Sequence, residues 1–219
     1  SAPFELFISK LEDVYQGCYA YPSIWMTAGS EQFAGFDFLV GYDASAMTFM
    51  SAELGAFLHG DTDQDPLTAD VNGWEYFTYR YNWNGNCGGS CPSGLLRVVG
   101  IAETNNGFNH PDVSTLRHPG PAGNAVELVR MTFYVTNDRT YECMYAPIRF
   151  FWDDCGDNSL SSFWGDSLFV CDSVLNYDGT NWTGTLHYGG VEWLHDCLTV
   201  DTVYVERDPP LEDTILYTT

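Results

Sequence analysis

The sequence predicts an all-β fold, a sandwich or barrel of short strands. Three observations carry that prediction. Aromatic residues make up 16% of the 219-residue chain, and Tyr, Phe, Trp, Val and Thr are the side chains that fit a pleated, half-buried surface. Good helix formers do not come in runs: Lys10 is the only lysine, and no segment holds a 3.6-residue period over a useful length. Strand-length apolar runs are separated by turn dipeptides, namely Asn72-Gly73, Asn84-Gly85, Asn106-Gly107, Pro119-Gly120 and Asp178-Gly179, which accept or preset the backbone angles of a turn. A hydrophobic share of 45% is ample for a core, and this length suits a single β domain.

In chain order, strand patterns fall at residues 4–9, 23–27, 36–42, 47–52, 74–81, 95–102, 126–136, 143–150, 167–171 and 199–206. The run at 126–136 is the cleanest. Residues 82–92 and 105–122 read as inserted loops, the second rich in Asn, Gly, His and Pro; loops this long in a compact β domain are functional or stapled.

One stretch resembles a known family. Phe36-Asp37-Phe38-Leu39-Val40-Gly41-Tyr42-Asp43 leads through Ala44-Ser45-Ala46 into an apolar run that ends at Gly55. A strand closing on Tyr-Asp, a turn of small residues, an apolar strand and a Gly are similar to the pattern of cohesin domains and related carbohydrate-binding-module-like sandwiches. Upstream, a strand at 4–9, Gly17 and a second strand match. Downstream, Gly94 to Ala102 looks like the family's central strand and Leu128 to Val135 like a later core strand. The resemblance spans residues 4–175. It implies a jelly-roll-type antiparallel β-sandwich of about nine strands, here with long disulfide-stapled loops, over residues 1–202. Residues 203–219 form a C-terminal extension. It also implies protein or glycan binding rather than chemistry. The cysteines, both loop insertions and the C-terminal region depart from the family, so no binding residue is carried over and dockerin recognition is not assumed.

Charge narrows the partners. Thirty acidic residues against eight basic ones give −22, which repels phosphate backbones and anionic membranes and leaves nucleic-acid binding out. Such a surface attracts divalent cations and keeps the chain soluble. No apolar stretch approaches the length of a membrane span. Ser1-Ala2-Pro3 looks like a mature end left by cleavage at a small-residue site.

The seven cysteines are Cys18, Cys87, Cys91, Cys143, Cys155, Cys171 and Cys197. None has the C-x-x-C spacing of a zinc or redox site. Their loop-rich surroundings favour structural disulfides in an oxidising, extracellular compartment. Cys87 with Cys91, Cys143 with Cys155, and Cys171 with Cys197 are plausible partners by proximity. Cys18, far from the rest, is the candidate for an unpaired or intermolecular thiol.

Candidate sites follow. Asp61, Asp63 and Asp65 place carboxylates at alternate positions, hard oxygen ligands suited to Ca²⁺, although Pro66 and Asn72 rule out an EF-hand. Asp153, Asp154 and Asp157 form a second acidic cluster. A solvated acidic loop is the plainer reading of both. Among the aromatics, Trp83 and Trp182 are candidates for stacking on sugar rings. Trp74, Tyr76, Tyr79 and Tyr81 alternate along one run, so even and odd members point to opposite faces and one set is core. Asn181-Trp182-Thr183 is the single N-glycosylation sequon. Thr214, Ile215, Leu216 and Tyr217 suit an assembly strand added to a neighbour's sheet edge. No H-E-x-x-H, G-x-S-x-G or phosphate-loop motif is present.

The expected function is a non-catalytic structural or assembly subunit of an extracellular layer, fibre or filament, with copies of itself as partners. A carbohydrate-binding module of a secreted or cell-surface protein is the alternative, and a two-carboxylate glycosidase the third reading.

Overall fold

The computed structural model describes residues 5–27, 33–59, 73–81, 91–104, 125–153 and 156–162, with the backbone of the strands at 168–170, 185–187, 189–191, 195–196, 202–205 and 215–218. Two sheets face each other. Their main strands are β1 (Glu5–Ile8), β2 (Ser23–Thr27), β3 (Phe33–Tyr42), β4 (Met47–Leu54), β5 (Tyr76–Tyr81), β6 (Gly94–Ile101), β7 (Val126–Val135), β8 (Ala146–Phe150) and β9 (Ser159–Ser162). The predicted β-sandwich is the observed fold. Helix is confined, among the described residues, to one turn at Ala56–His59 and a 3-10 turn at Arg139–Tyr141.

The first sheet runs β1-β2-β7, with β4 on the far edge of β7; every one of these pairings is antiparallel. The second runs β5-β6-β3, and β8 and β9 share the remaining edge of β3. Three short parallel contacts add to this antiparallel body. Thr185–His187 lies beside β1, Gly189–Val191 beside Lys10–Leu11, and His195–Asp196 beside Tyr15–Gln16.

Alternation explains the core. Leu6 and Ile8 on β1, Ile24 and Met26 on β2, and Met131 and Phe133 on β7 are all buried, with outward residues between them. Phe133 meets Tyr42 and Phe49 edge-on at 5.0 and 5.6 Å, a favoured aromatic geometry. On β5, Tyr79 and Tyr81 lie against Phe49 at 5.4 and 5.0 Å, yet both are exposed, as is Tyr76, so neither set of these tyrosines is core. Trp74, just before β5, is buried against Phe33 and Phe36.

Gly55 ends β4 where no other residue fits. A Cβ there would fall on the backbone carbonyl of Glu127, and the Gly55 N–H donates to the Leu128 carbonyl at 2.9 Å. The bulge in β7 between Glu127 and Val129 lies at this crossing. It re-aims Glu127 to the outer face, where Arg130 donates to both its oxygens.

Two cysteine assignments are corrected. Cys18 is disulfide-bonded, as is Cys91. Its distance from the other cysteines in sequence therefore does not leave Cys18 unpaired; its turn, opened by Gly17 at φ 72°, is clamped to β7 by two hydrogen bonds with Val135. Cys143, expected to join Cys155, is instead a free, exposed thiol. It sits at φ 61° in the turn after the 3-10 helix, beside exposed Met144 and Tyr145. Cys87, Cys155, Cys171 and Cys197 lie outside the described residues.

The C-terminal runs pair with each other. Thr202–Val205 and Ile215–Thr218 form a two-stranded antiparallel sheet, with Val203 opposite Tyr217. Ile215, Leu216 and Tyr217 therefore already have a partner strand within their own chain; Thr214 lies outside the described residues.

Candidate functional site

The site starts from an interruption. β8 and β9 are collinear on one edge of β3: β8 pairs with Tyr42 to Val40, and β9 with Asp37 to Phe33. Between them the chain leaves the sheet after Phe150 and rejoins it at Ser159, so Phe38 on β3 has no strand partner on this edge, and neither has Leu39. Its backbone is still satisfied. The Phe151 N–H donates to the Leu39 carbonyl at 2.9 Å, and the Leu39 N–H donates to Asn158 Oδ1 at 3.0 Å. Asn158 Nδ2 donates in turn to the Phe151 carbonyl at 2.8 Å. Asn158 stands at φ 59°, a left-handed conformation that Asn tolerates better than most side chains.

The excursion is pinned by charge. Arg97 points outward from β6 and donates through Nε to Asp37 at 2.8 Å and through Nη2 to Asp157. Asp157 is 1% exposed, and its other oxygen accepts the Asp153 N–H at 2.8 Å. Both Asp157 oxygens thus accept hydrogen bonds, one from Arg97 and one from the Asp153 backbone. Among the described residues no group of three His, Cys, Asp or Glu side chains converges as metal ligands. Asp154, and the run Asp61, Asp63 and Asp65, lie outside the described residues, as do Trp83, Trp182 and Asn181.

Beside the excursion a hollow of about 620 Å³ opens on this end of the second sheet. Its walls come from three segments: Gly41, Tyr42 and Asp43 at the end of β3; Pro92 and Ser93 ahead of β6; and β8 running on into Phe151 and Trp152. Gly41 makes the space, since a Cβ there would press on Pro92 Cγ at 2.6 Å. Asp43 holds the rim. Its Oδ1 accepts the Ser45 N–H at 2.9 Å and the hydroxyls of Ser45 and Ser93 at 2.5 and 3.3 Å. The hydrogen bond from the Ser45 hydroxyl, above all, holds this carboxyl below its ordinary value of 3.8. Burial pushes the Tyr42 phenol above its usual value of 10.0. Arg149 stands exposed on the outer side of β8, opposite Gly41. The Trp152 indole N–H is buried and meets no acceptor among the described residues.

Most of this went unnoticed in the sequence, though a signal existed. Asp37 and Arg97 interrupt strands that are otherwise apolar, and a charge in such a run marks an outward position facing a partner.

A scan of protein-family models and a search of the curated proteins both find no match. Solved structures do match. The seventh ScaB type I cohesin of Pseudobacteroides cellulosolvens aligns over 94% of this chain and all of its own, at 14% identity and TM-score 0.53. The sixth cohesin of Acetivibrio cellulolyticus scaffoldin B, solved with a Cel5 dockerin mutant, aligns over 87% of this chain and 99% of its own, at 13% identity and TM-score 0.52. This chain has a cohesin-like β-sandwich fold. A further cohesin of Acetivibrio cellulolyticus, the third of ScaC, solved with the ScaB dockerin, aligns at 12% identity and TM-score 0.51. At such identities the likeness is one of fold, and the cohesin-like frame says where the hollow lies without saying what enters it.

Proposed function

We propose that this chain is a non-catalytic, extracellular assembly module that docks a protein partner against the outer face of its second sheet. The observation that carries the reading is the hollow of about 620 Å³ where β8 runs on into Phe151 and Trp152, with aromatic walls and Arg149 at its edge. An aromatic and arginine patch within a pocket is the usual anchor of a protein interface. Two of the similar cohesins were solved with dockerins, which supports protein docking on this frame. The favoured partner is a second copy of the chain. Arg149 is one of only eight basic residues, and another copy offers thirty carboxylates to meet it. The disulfides at Cys18 and Cys91 favour a secreted setting. Among the described residues no helix is long and apolar enough to cross a membrane. Calcium held by Asp61, Asp63 and Asp65 belongs to the same proposal, tested by calorimetric titration with CaCl₂ against Asp63→Asn.

Light scattering across a concentration series tests the docking. The expected result is a mass that rises with concentration and is restored to that of one chain by Arg149→Glu. A single-chain mass at every concentration, with no dockerin bound either, overturns the proposal.

A further inference from the structure

A second concavity lies on the outer face of the other sheet, away from the hollow. Strand register sets out its floor in two rows. Phe7, Trp25 and Glu127 are successive cross-strand neighbours on β1, β2 and β7. Ser23, Arg130 and Glu53 form the next row across β2, β7 and β4. The Phe7 and Trp25 rings are near-parallel, 8° apart with centroids at 6.3 Å. Exposed Tyr21 and the hydroxyl residues Ser9 and Thr132 complete a groove of about 580 Å³, within the range of small-ligand sites, roughly 300–1,000 Å³.

The polar row is built. Glu127 is 8% exposed on a sheet face that in a sandwich normally meets water. Its Oε1 accepts the Ser23 hydroxyl at 2.6 Å and Arg130 Nε at 3.0 Å, and its Oε2 accepts Arg130 Nη2 at 2.8 Å. That leaves Arg130 Nη1, 3.9 Å from exposed Glu53, directed along the groove. With Arg130 47% exposed, this ion pair adds little stability. Its value here is to fix a guanidinium edge and a second carboxylate beside an indole plane.

From this we infer that the groove binds a neutral carbohydrate. Trp25 supplies a flat apolar surface for the C–H face of a pyranose ring. Arg130 donates and Glu53 accepts, the paired donor and acceptor that adjacent ring hydroxyls require. Two carboxylates against one guanidinium leave the groove net negative, which disfavours phosphates, sulfates and uronic acids, and the chain's −22 adds to that exclusion. Three hydroxyl side chains in the floor disfavour a purely apolar ligand. Glu127 has both oxygens engaged, so it acts as a positioning residue for Arg130. The inference stands independently of protein docking, which uses the opposite sheet.

The test is Trp fluorescence and calorimetric titration with neutral gluco-, xylo-, manno- and arabino-hexasaccharides, with a galacturonic-acid hexamer as the charged control. At least one neutral probe is expected to bind, and the acidic one not. Trp25→Ala and Tyr21→Ala are each expected to weaken binding at least tenfold, and Glu53→Gln severalfold. Tyr21 is 55% exposed, so its removal reports on the ligand rather than on folding. Trp25→Phe is expected to restore part of the affinity, which a general loss of structure would not allow. Failure of the intact chain to bind any neutral probe overturns the inference, as does binding that Tyr21→Ala and Trp25→Phe leave unchanged.

Discussion

Replacing Arg130 with Met isolates what a buried charge costs in this sandwich. Met keeps the length of the alkyl stem, so the loss is electrostatic. Glu127, with its side chain 9% exposed, then keeps the Ser23 hydroxyl and loses both guanidinium bonds. Arg130 is 47% exposed, so the pair is partly screened and the loss is that of hydrogen bonds to a charged group, about 1.5–3 kcal/mol. For a chain of this size each kcal/mol moves the melting midpoint by about 2–4 °C, so the fall is roughly 3–12 °C. Adding Glu127→Leu removes the stranded charge. The double variant is expected to recover most of the loss and to lie within about 1 kcal/mol of the parent, since apolar pairs of similar shape replace such bridges at little cost. Urea unfolding with the disulfides intact, read at constant slope, gives both numbers. An Arg130→Met variant as stable as the parent would refute the reasoning. So would a double variant less stable than the single one.

Three further outcomes follow from other parts of the fold. Gly55→Ala drives a methyl group into the Glu127 carbonyl, a backbone atom that cannot step aside; a loss of at least about 1–3 kcal/mol is expected by urea unfolding, with Ser51→Ala at an exposed position of β4 as the near-neutral control. Alkylation of the native, unreduced protein followed by peptide mass analysis should modify Cys143 and leave Cys18 and Cys91 unmodified, because the first is a free, exposed thiol and the others are disulfide-bonded. Asp43 has a folded pKa below its ordinary 3.8, so its contribution is fully present above that value and is lost as pH falls through the depressed one. An acid titration of stability should show a shallower decline in Asp43→Asn than in the parent below pH 3.8, and parallel curves would contradict this.

The fold was legible because it is written in alternation. The runs at 23–27, 36–42, 95–102 and 126–136 are strands within a few residues of where the pattern places them, since each carries apolar side chains into the core, by alternation or, at 38–42 and 126–129, as a continuous buried run. β9 was missed because Ser159-Leu160-Ser161-Ser162 offers a single apolar residue; tertiary pairing with β3, not composition, makes it a strand. The cysteines misled because separation along the chain stood in for separation in space. Cys18 is brought to the body of the sandwich by bonds to Val135, while Cys143 is turned out by a left-handed backbone. The hollow was out of reach of sequence reasoning. It depends on β8 and β9 sharing one edge of β3, a relation between segments that no local pattern encodes. The Asp153 to Asp157 cluster was visible, but its role was not, because Arg97 reaches Asp157 from a strand some sixty residues away in sequence.

Native mass tests the central claim most directly. Light scattering on the purified chain, over rising concentration and at two salt levels, should give a mass above the 24.5 kDa of one chain. That mass should grow with concentration and with salt, because screening relieves repulsion between copies carrying −22 each, and Arg149→Glu should return it to 24.5 kDa. A particle that stays at one chain under all of these conditions, and captures no dockerin, would contradict the account.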